Sequence, residues 1–378
     1  MNKPYFDTAT YISHIESTVW CGVAPSGPDS WLARPRNGIL VRSATMKLGL
    51  QISSFTWPGG TQAIGPTLAE IVRQADDVGF DSIWVMDHFF QIRSVGKTEE
   101  PMLEGWTTLG FMAAHTTRAR LGLMVGGVHY RHPGLWVKAA TTLDVLSGGR
   151  AWLGIGAAWN EEESRALGFP FPPLGERFEM LEETLQIAHG MWEGERGSEG
   201  EFHGRRFQAD RLLNSPQSLS RPRVPIMVGG GGEKKTLRLV AQYADACNVF
   251  GTPEAIARKY AILAEHCAAI GRDPDEIERS TLQDIRISAD GERGAGATGP
   301  GAAAGGGGSA GAAPAEAGAA RVESRATRGG QTGAQIVDRF GELADAGAQH
   351  VIVSLRDLVD PSRLDLVGRD VIPHLRAL

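Results

Sequence analysis

Asp87 and His88 close the apolar run Ser82 to Met86, which puts an acid and an imidazole together at the end of a strand. An imidazole so placed can donate a proton, accept one or stabilise a neighbouring anion. The competing reading is a loop histidine bonded to its neighbour. Val125-Gly126-Gly127 ends a second apolar run, and a backbone without side chains can press close to a flat ring; the plainer reading is two glycines that finish a strand. Gly229-Gly230-Gly231-Gly232 follows the apolar segment Pro225 to Val228 and precedes a helical pattern starting at Glu233. Successive bare amides at a helix start suit an anion, above all a phosphate. No Gly-Lys-Ser/Thr follows, so the loop is not that of a nucleoside triphosphatase. His129 and His132 lack a carboxylate at ligand spacing, and no metal site is expected. Glu161, Glu162 and Glu163 are candidate acids, but the favoured reading is a solvated helix start whose charges complement the helix dipole.

These residues need a scaffold that brings strand ends together. The stretch from Leu121 to Ile155 is a complete βαβ unit: an apolar strand, a Gly-Gly break, a helix opened by Pro133 and ended by Gly148-Gly149, then a second apolar strand. The spacing of Leu135, Ala139, Thr142, Leu143 and Leu146 predicts the helix face that meets the sheet. The pattern recurs along the chain. Strands are expected at 46–52, 82–86, 224–228, 245–249, 281–287 and 350–354, with helices at 67–78, 107–116, 176–192, 233–243 and 253–270. Seven or eight alternating strands and helices predict a (β/α)8 TIM barrel with insertions, whose strand C-termini carry the active site. A doubly wound open sheet is the alternative; it predicts a Gly-x-Gly-x-x-Gly turn after the first strand, where Ser53-Ser54-Phe55-Thr56 stands instead.

The chain has 378 residues, 42% of them hydrophobic, enough for one large core. A net charge of -6 and no long basic run argue against a nucleic-acid partner. Three cysteines without Cys-x-x-Cys spacing suit a reducing cytoplasm, and no apolar stretch is long enough for a membrane span. Two segments differ in composition from the rest. Residues 1–45, rich in Pro, Ser, Thr and Arg, are expected to form a disordered N-terminal extension, with Met46 an alternative start. Residues 291–330 are mostly Gly and Ala with Val322 the one bulky apolar side chain, and are expected to be a disordered insertion in the 46–378 barrel.

Six ordered motifs carry a resemblance to a known family: MKLGL, FDSIWVMDHF, LGLMVGGVHYRHP, LDVLSGGRAWLGIGAAWNEEE, PLGERFEMLEETL and PIMVGGGGEKKTLRLVAQYADACN. Together the chain resembles the luciferase-like monooxygenase superfamily, most closely its coenzyme F420-dependent oxidoreductase branch. The resemblance implies that Asp87 and His88 lie beside the deazaflavin, His88 acting in catalysis or steadying the reduced cofactor. It implies a non-proline cis peptide among Val125, Gly126 and Gly127 behind the ring, a cofactor hydrogen bond from Asn160, and a phosphate of F420 or FMN on Gly229, Gly230, Gly231 and Gly232. Sugar-phosphate dehydrogenases of this branch carry a glutamate proton donor where this chain has Ala157, which removes support for that activity. The implied function is hydride transfer between F420 and a small organic substrate. One alternative is an FMN monooxygenase fed by a separate reductase; another is a non-catalytic cofactor-binding protein. Related barrels pair as homodimers, and Phe202 to Phe207 fits the short hairpin that the family inserts. Trp159, Phe169, Phe171 and Phe178 are candidate walls of a substrate cavity, each equally explicable as packing.

Overall fold

The computed structural model describes residues 45–289 and 330–378. The expected disordered segments, 1–45 and 291–330, therefore lie outside the described residues except for Thr45 and Gly330. In chain order the elements are β1 Lys47–Ile52, α1 Thr61–Val78, β2 Ser82–Val85, α2 Gly105–Ala113, β3 Arg120–Leu123, β4 Gly126–Gly127, α3 Pro133–Ser147 and β5 Ala151–Gly156. Next come α4 Glu161–Ala166, α5 Leu174–Trp192, the hairpin β6 Phe202–His203 and β7 Gln208–Ala209, β8 Ile226–Gly229, α6 Thr236–Tyr243, β9 Ala246–Val249 and α7 Pro253–Ile270. The chain ends with β10 Glu278–Ile285, α8 Gly333–Asp345, β11 His350–Leu355, α9 Pro361–Asp370 and α10 Ile372–Leu375.

The parallel strands run β3-β2-β1-β11-β10-β9-β8-β5, and β3 also pairs with β5, closing an eight-stranded barrel. The open-sheet alternative is thereby excluded. β4 continues the third strand after an interruption. Gly122 faces Trp152 and Gly126 faces Ile155, so four steps on one strand match three on the other, which is a one-residue bulge. The cis Met124–Val125 peptide sits in this bulge, on the leading side of the window that the resemblance implied.

Glycines make the bulge possible. A Cβ on Gly154 would collide with the Leu123 carbonyl, and one on Gly229 would lie 2.7 Å from the Val125 side chain. Gly154→Ala should therefore overpack a backbone contact that cannot yield, costing about 1–3 kcal/mol or more. A lowered denaturant midpoint would check this, and an unchanged one would refute the close approach. Inside the barrel, Trp84, Trp152, Met124, Met227 and Ile352 fill the space, Gly122 leaving room for the Trp84 ring.

Two expectations need correction. The buried face of α3 is Trp136, Val137, Ala140, Thr141, Leu143, Asp144 and Ser147, whereas Leu135 and Leu146 are exposed. Trp136 is the largest anchor, and polar Asp144 goes inward because it accepts the amides of Leu219 and Ser220 at 2.7 and 2.9 Å. The helix after the Gly-rich loop begins at Thr236 rather than Glu233. Glu233 instead turns its carboxylate to Arg258 and Lys259 on α7.

At the N-terminal end of the barrel Glu278 pairs with Lys47 and with His350, 2.7 Å away. Burial alone would raise the Glu278 carboxyl, but these two partners hold it down at about 2. The folded value lies below the ordinary glutamate value of 4.5, so this stabilisation is complete above that pH and is lost as pH falls toward 2. Glu278→Gln should flatten the acid limb of the stability–pH curve, measured by urea titration between these limits.

Candidate active site

The residues singled out by chemistry come from the C-terminal ends of β2, the interrupted β3–β4 strand, β5 and β8 and from the loops that follow them, where barrel enzymes assemble their sites. His88 is 13% exposed in its side chain, and its Nδ1 lies 2.7 Å from Glu163 Oε1. Nε2 makes no hydrogen bond to the described residues and remains available. Trp159, 50% exposed, stands edge-on to the His88 ring with centroids 5.5 Å apart.

Glu163 is the residue for which the favoured sequence reading is corrected. It is 1% exposed, not a solvated helix start. Its carboxylate accepts the amides of Phe89 and Phe90 at 2.8 and 3.0 Å, pairs with His88, and accepts the Tyr130 hydroxyl. Burial pushes its carboxyl up, but His88, Tyr130 and the Phe90 amide outweigh that and leave it lowered, so the carboxylate is ionised. Conversely, burial and the adjacent Glu163 raise the Tyr130 hydroxyl, which stays a donor. The available signal was spacing: Asn160-x-x-Glu163 is a helix-start pattern, and Asn160 Oδ1 does accept the Glu163 amide at 3.4 Å. Glu161 and Glu162 behave as expected, pairing at the surface with Arg165 and Arg93.

Asp87 is brought to the site but not to its surface. It is 2% exposed, and both oxygens are taken by Arg131 at 2.7 and 2.8 Å. Burial raises its carboxyl above the ordinary value while the guanidinium works against that. Arg131 is further held by Glu104 and lies 4.7 Å from the Trp136 ring centre. The expected contact of Asp87 with a reacting atom therefore gives way to a positioning role: it anchors the loop that carries His88. Asp87→Asn should lower the melting temperature by several degrees through loss of a buried pair, with a smaller effect on turnover at a temperature where the variant is folded.

Gly126 and Gly127 also have a packing reason. A side chain on Gly126 would strike Trp136, and one on Gly127 would come within 2.7 Å of the Tyr130 ring, so only their backbones are left to meet a ligand. Gly230 has φ +122°, which favours glycine, and its amide is engaged by Asn248 O at 3.0 Å. The space beside Gly230 and Gly231 is open: added Cβ atoms would meet only Thr236 and Lys259, at 3.5 and 3.6 Å.

The remaining aromatic residues mostly pack. Phe89 stacks on Phe169 and meets Tyr130 edge-on, both at 5.1 Å; Phe171 meets His129 and lies under Arg177; Phe178 lies under Lys235. Burial holds His129 neutral, at about 4; its Nε2 meets Ser164 at 2.8 Å, and its buried Nδ1 has no partner. The expected hairpin is present as β6–β7, its turn amides at Arg205, Arg206 and Phe207 gathered by Glu183. Among the described residues no group of three or more His, Cys, Asp or Glu could hold a metal ion, and no helix is long and apolar enough to cross a membrane.

A closed parallel barrel with a histidine, a strand bulge and a glycine loop at its C-terminal mouth defines the chain as a (β/α)8 barrel with a candidate active site at the strand ends. The profile described as luciferase-like monooxygenase matches residues 46–350, and the chain belongs to that family. An F420-dependent glucose-6-phosphate dehydrogenase of Nakamurella multipartita is 30% identical over 247 residues, covering 63% of this chain and 68% of that one. The F420-dependent tetrahydromethanopterin reductase of Methanopyrus kandleri superposes with a TM-score of 0.65 at 19% identity, covering 88% of this chain and 100% of the other. The FMN-bound oxygenating component of 3,6-diketocamphane monooxygenase from Pseudomonas putida gives a TM-score of 0.63 at 17% identity, over 87% and 98%. At those identities the two structures share the fold.

Proposed function

We propose that this protein is an F420-dependent oxidoreductase that moves a hydride between the deazaflavin and a small organic substrate. The observation that carries the proposal is the His88–Glu163 pair, which leaves one imidazole nitrogen open at the barrel mouth beside Trp159. The sequence similarity to F420-dependent glucose-6-phosphate dehydrogenases supports deazaflavin over flavin.

The residues present suit such a cofactor. The space at Gly230 and Gly231 admits a phosphate against the backbone, and the buried Nδ1 of His129 is a polar atom without a partner. When bound, the deazaflavin supplies the ring carbon that gives or takes the hydride. The chain supplies the rest. Glu163 fixes the His88 ring through Nδ1, so Nε2 is the atom that gives or takes the substrate proton. Trp159 covers one edge of the His88 ring, and in this reading the Val125 bulge would stand behind the cofactor.

The sugar-phosphate substrate of the Nakamurella relative is not carried over. Ala157 has no acid, and its carbonyl is occupied by Arg177 at 2.9 Å, so glucose 6-phosphate should not be turned over. Reduction of F420 monitored by absorbance with that sugar phosphate checks this; turnover would overrule the argument.

The deciding experiment is an anaerobic fluorescence titration with F420, reduced F420, FMN and reduced FMN. Tight F420 binding with FMN rejected upholds the proposal. A preference for FMN would favour an oxygen-activating monooxygenase, and binding of neither would sink both. Gly231→Val should weaken cofactor binding by tenfold or more, because it fills the open space without imposing the backbone strain expected at Gly230.

A further inference from the structure

The N-terminal mouth of the barrel, opposite His88, holds a cavity of about 340 Å³ among the starts of β1, β2, β3, β5, β10 and β11 and the end of α10. His350 lines it, 3% exposed, its Nδ1 on Glu278 and its Nε2 2.9 Å from Ser82 Oγ. Both carboxylates of the lining are already engaged. Glu278 holds Lys47 and His350, and Asp81 accepts the Leu48 amide at 2.9 Å.

Three guanidiniums remain. Arg118, Arg120 and Arg376 line the cavity, and none has a carboxylate partner for its guanidinium among the described residues. Two of them are nevertheless anchored. Arg118 donates to the Asp76 backbone carbonyl, and Arg120 lies 5.9 Å from the centre of the Trp152 ring. Arg376 approaches from the last turn of the chain across Gly79, where an added Cβ would lie 3.6 Å from its Nη2. With Lys47 set against Glu278 and the Asp81 charge against one arginine, the lining keeps an excess of two positive charges, a local positive field in a chain of net charge -6. The planar forks of the arginines suit the oxygens of phosphate as they suit those of carboxylates, and several of them on one cavity favour a ligand that carries more than one negative charge.

We propose that this cavity is a second binding site, for a phosphate-type dianion, separate from the barrel mouth that carries His88. The ligand is either the free ion or the phosphoryl end of a small organic phosphate, since both present the same oxygens to the three arginines.

Calorimetric titration of the full chain with inorganic phosphate and with glycerol 3-phosphate, in chloride at fixed ionic strength, tests this. Wild type should show one saturable site that Arg120→Ala/Arg376→Ala weakens at least tenfold without changing the thermal melt, and that Gly231→Val leaves intact. Arg376→Glu alone gives the same reading if loss of Arg120 from the Trp152 face unfolds the barrel. A tenfold preference for the ester would identify an organic phosphate, and equal affinity the free ion; both uphold the site. The proposal fails if no saturable heat appears or if the arginine variants bind as well as wild type. It also fails if only Gly231→Val abolishes binding, which would assign the phosphate to the other mouth.

Discussion

His88→Ala is expected to lower turnover by roughly a hundred- to a thousand-fold while cofactor affinity stays within about tenfold. The reason is the division of labour at the barrel mouth. His88 presents a single open nitrogen, whereas cofactor binding would draw on the Gly229–Gly232 loop, the Val125 bulge and the loop around Asn160. Removing one group that acts in the transition state costs rate and leaves most ground-state contacts in place. The check is a pair of measurements on the same preparation: the dissociation constant from ring fluorescence, and single-turnover hydride transfer once a substrate is found. Equal loss in both would make His88 a cofactor-binding residue only, and an unchanged rate would remove it from the chemistry.

Loss of Glu163 should have the second large effect, and on two observables at once. Glu163→Ala strands the amides of Phe89 and Phe90, the Tyr130 hydroxyl and His88 Nδ1 around an empty, buried position. Such a deletion costs about 3–5 kcal/mol. Glu163→Gln is the sharper probe because it keeps the volume and one acceptor while removing the charge that faces His88. Its stability should fall less. Its pH profile of kcat/KM should move toward acid, a change that a merely structural residue would not produce. The sign of the stability effect also follows. The Glu163 carboxyl is lowered in the folded protein, so its contribution is present above the ordinary glutamate value of 4.5 and fades as pH falls below it. Wild type and Glu163→Gln should therefore converge in stability in acid and diverge above that value. Parallel curves across the range would show that the buried charge plays no part.

Much of the architecture was legible before any coordinates. Short apolar runs broken by Gly and Pro located the eight barrel strands to within a few residues, and Gly79 and Gly148 ended α1 and α3 in left-handed conformation as helix-stop glycines do. These features are local. A strand or a cap is specified by neighbours two to four residues away, so one sequence window contains the information. The placement of Asp87, His88, Asn160 and the glycine loop at one end of the barrel followed from the same reasoning, since parallel closure puts every strand C-terminus on one side.

What tertiary structure decided was which of these residues faces what. Asp87 and His88 are adjacent in sequence yet take opposite roles, because Arg131, 44 residues on from Asp87, claims both oxygens of the acid and leaves the imidazole to Glu163. Glu163 looks like its exposed neighbours Glu161 and Glu162, and only the approach of the Phe89–Phe90 amides and Tyr130 makes its burial favourable. The inward face of α3 shows the same thing, turned toward Trp136 and Asp144 because a loop 75 residues away supplies the donors that Asp144 needs. Hydrophobic period selects an element from local sequence, whereas the partner of a buried polar group is set by chain segments brought together only when the barrel closes.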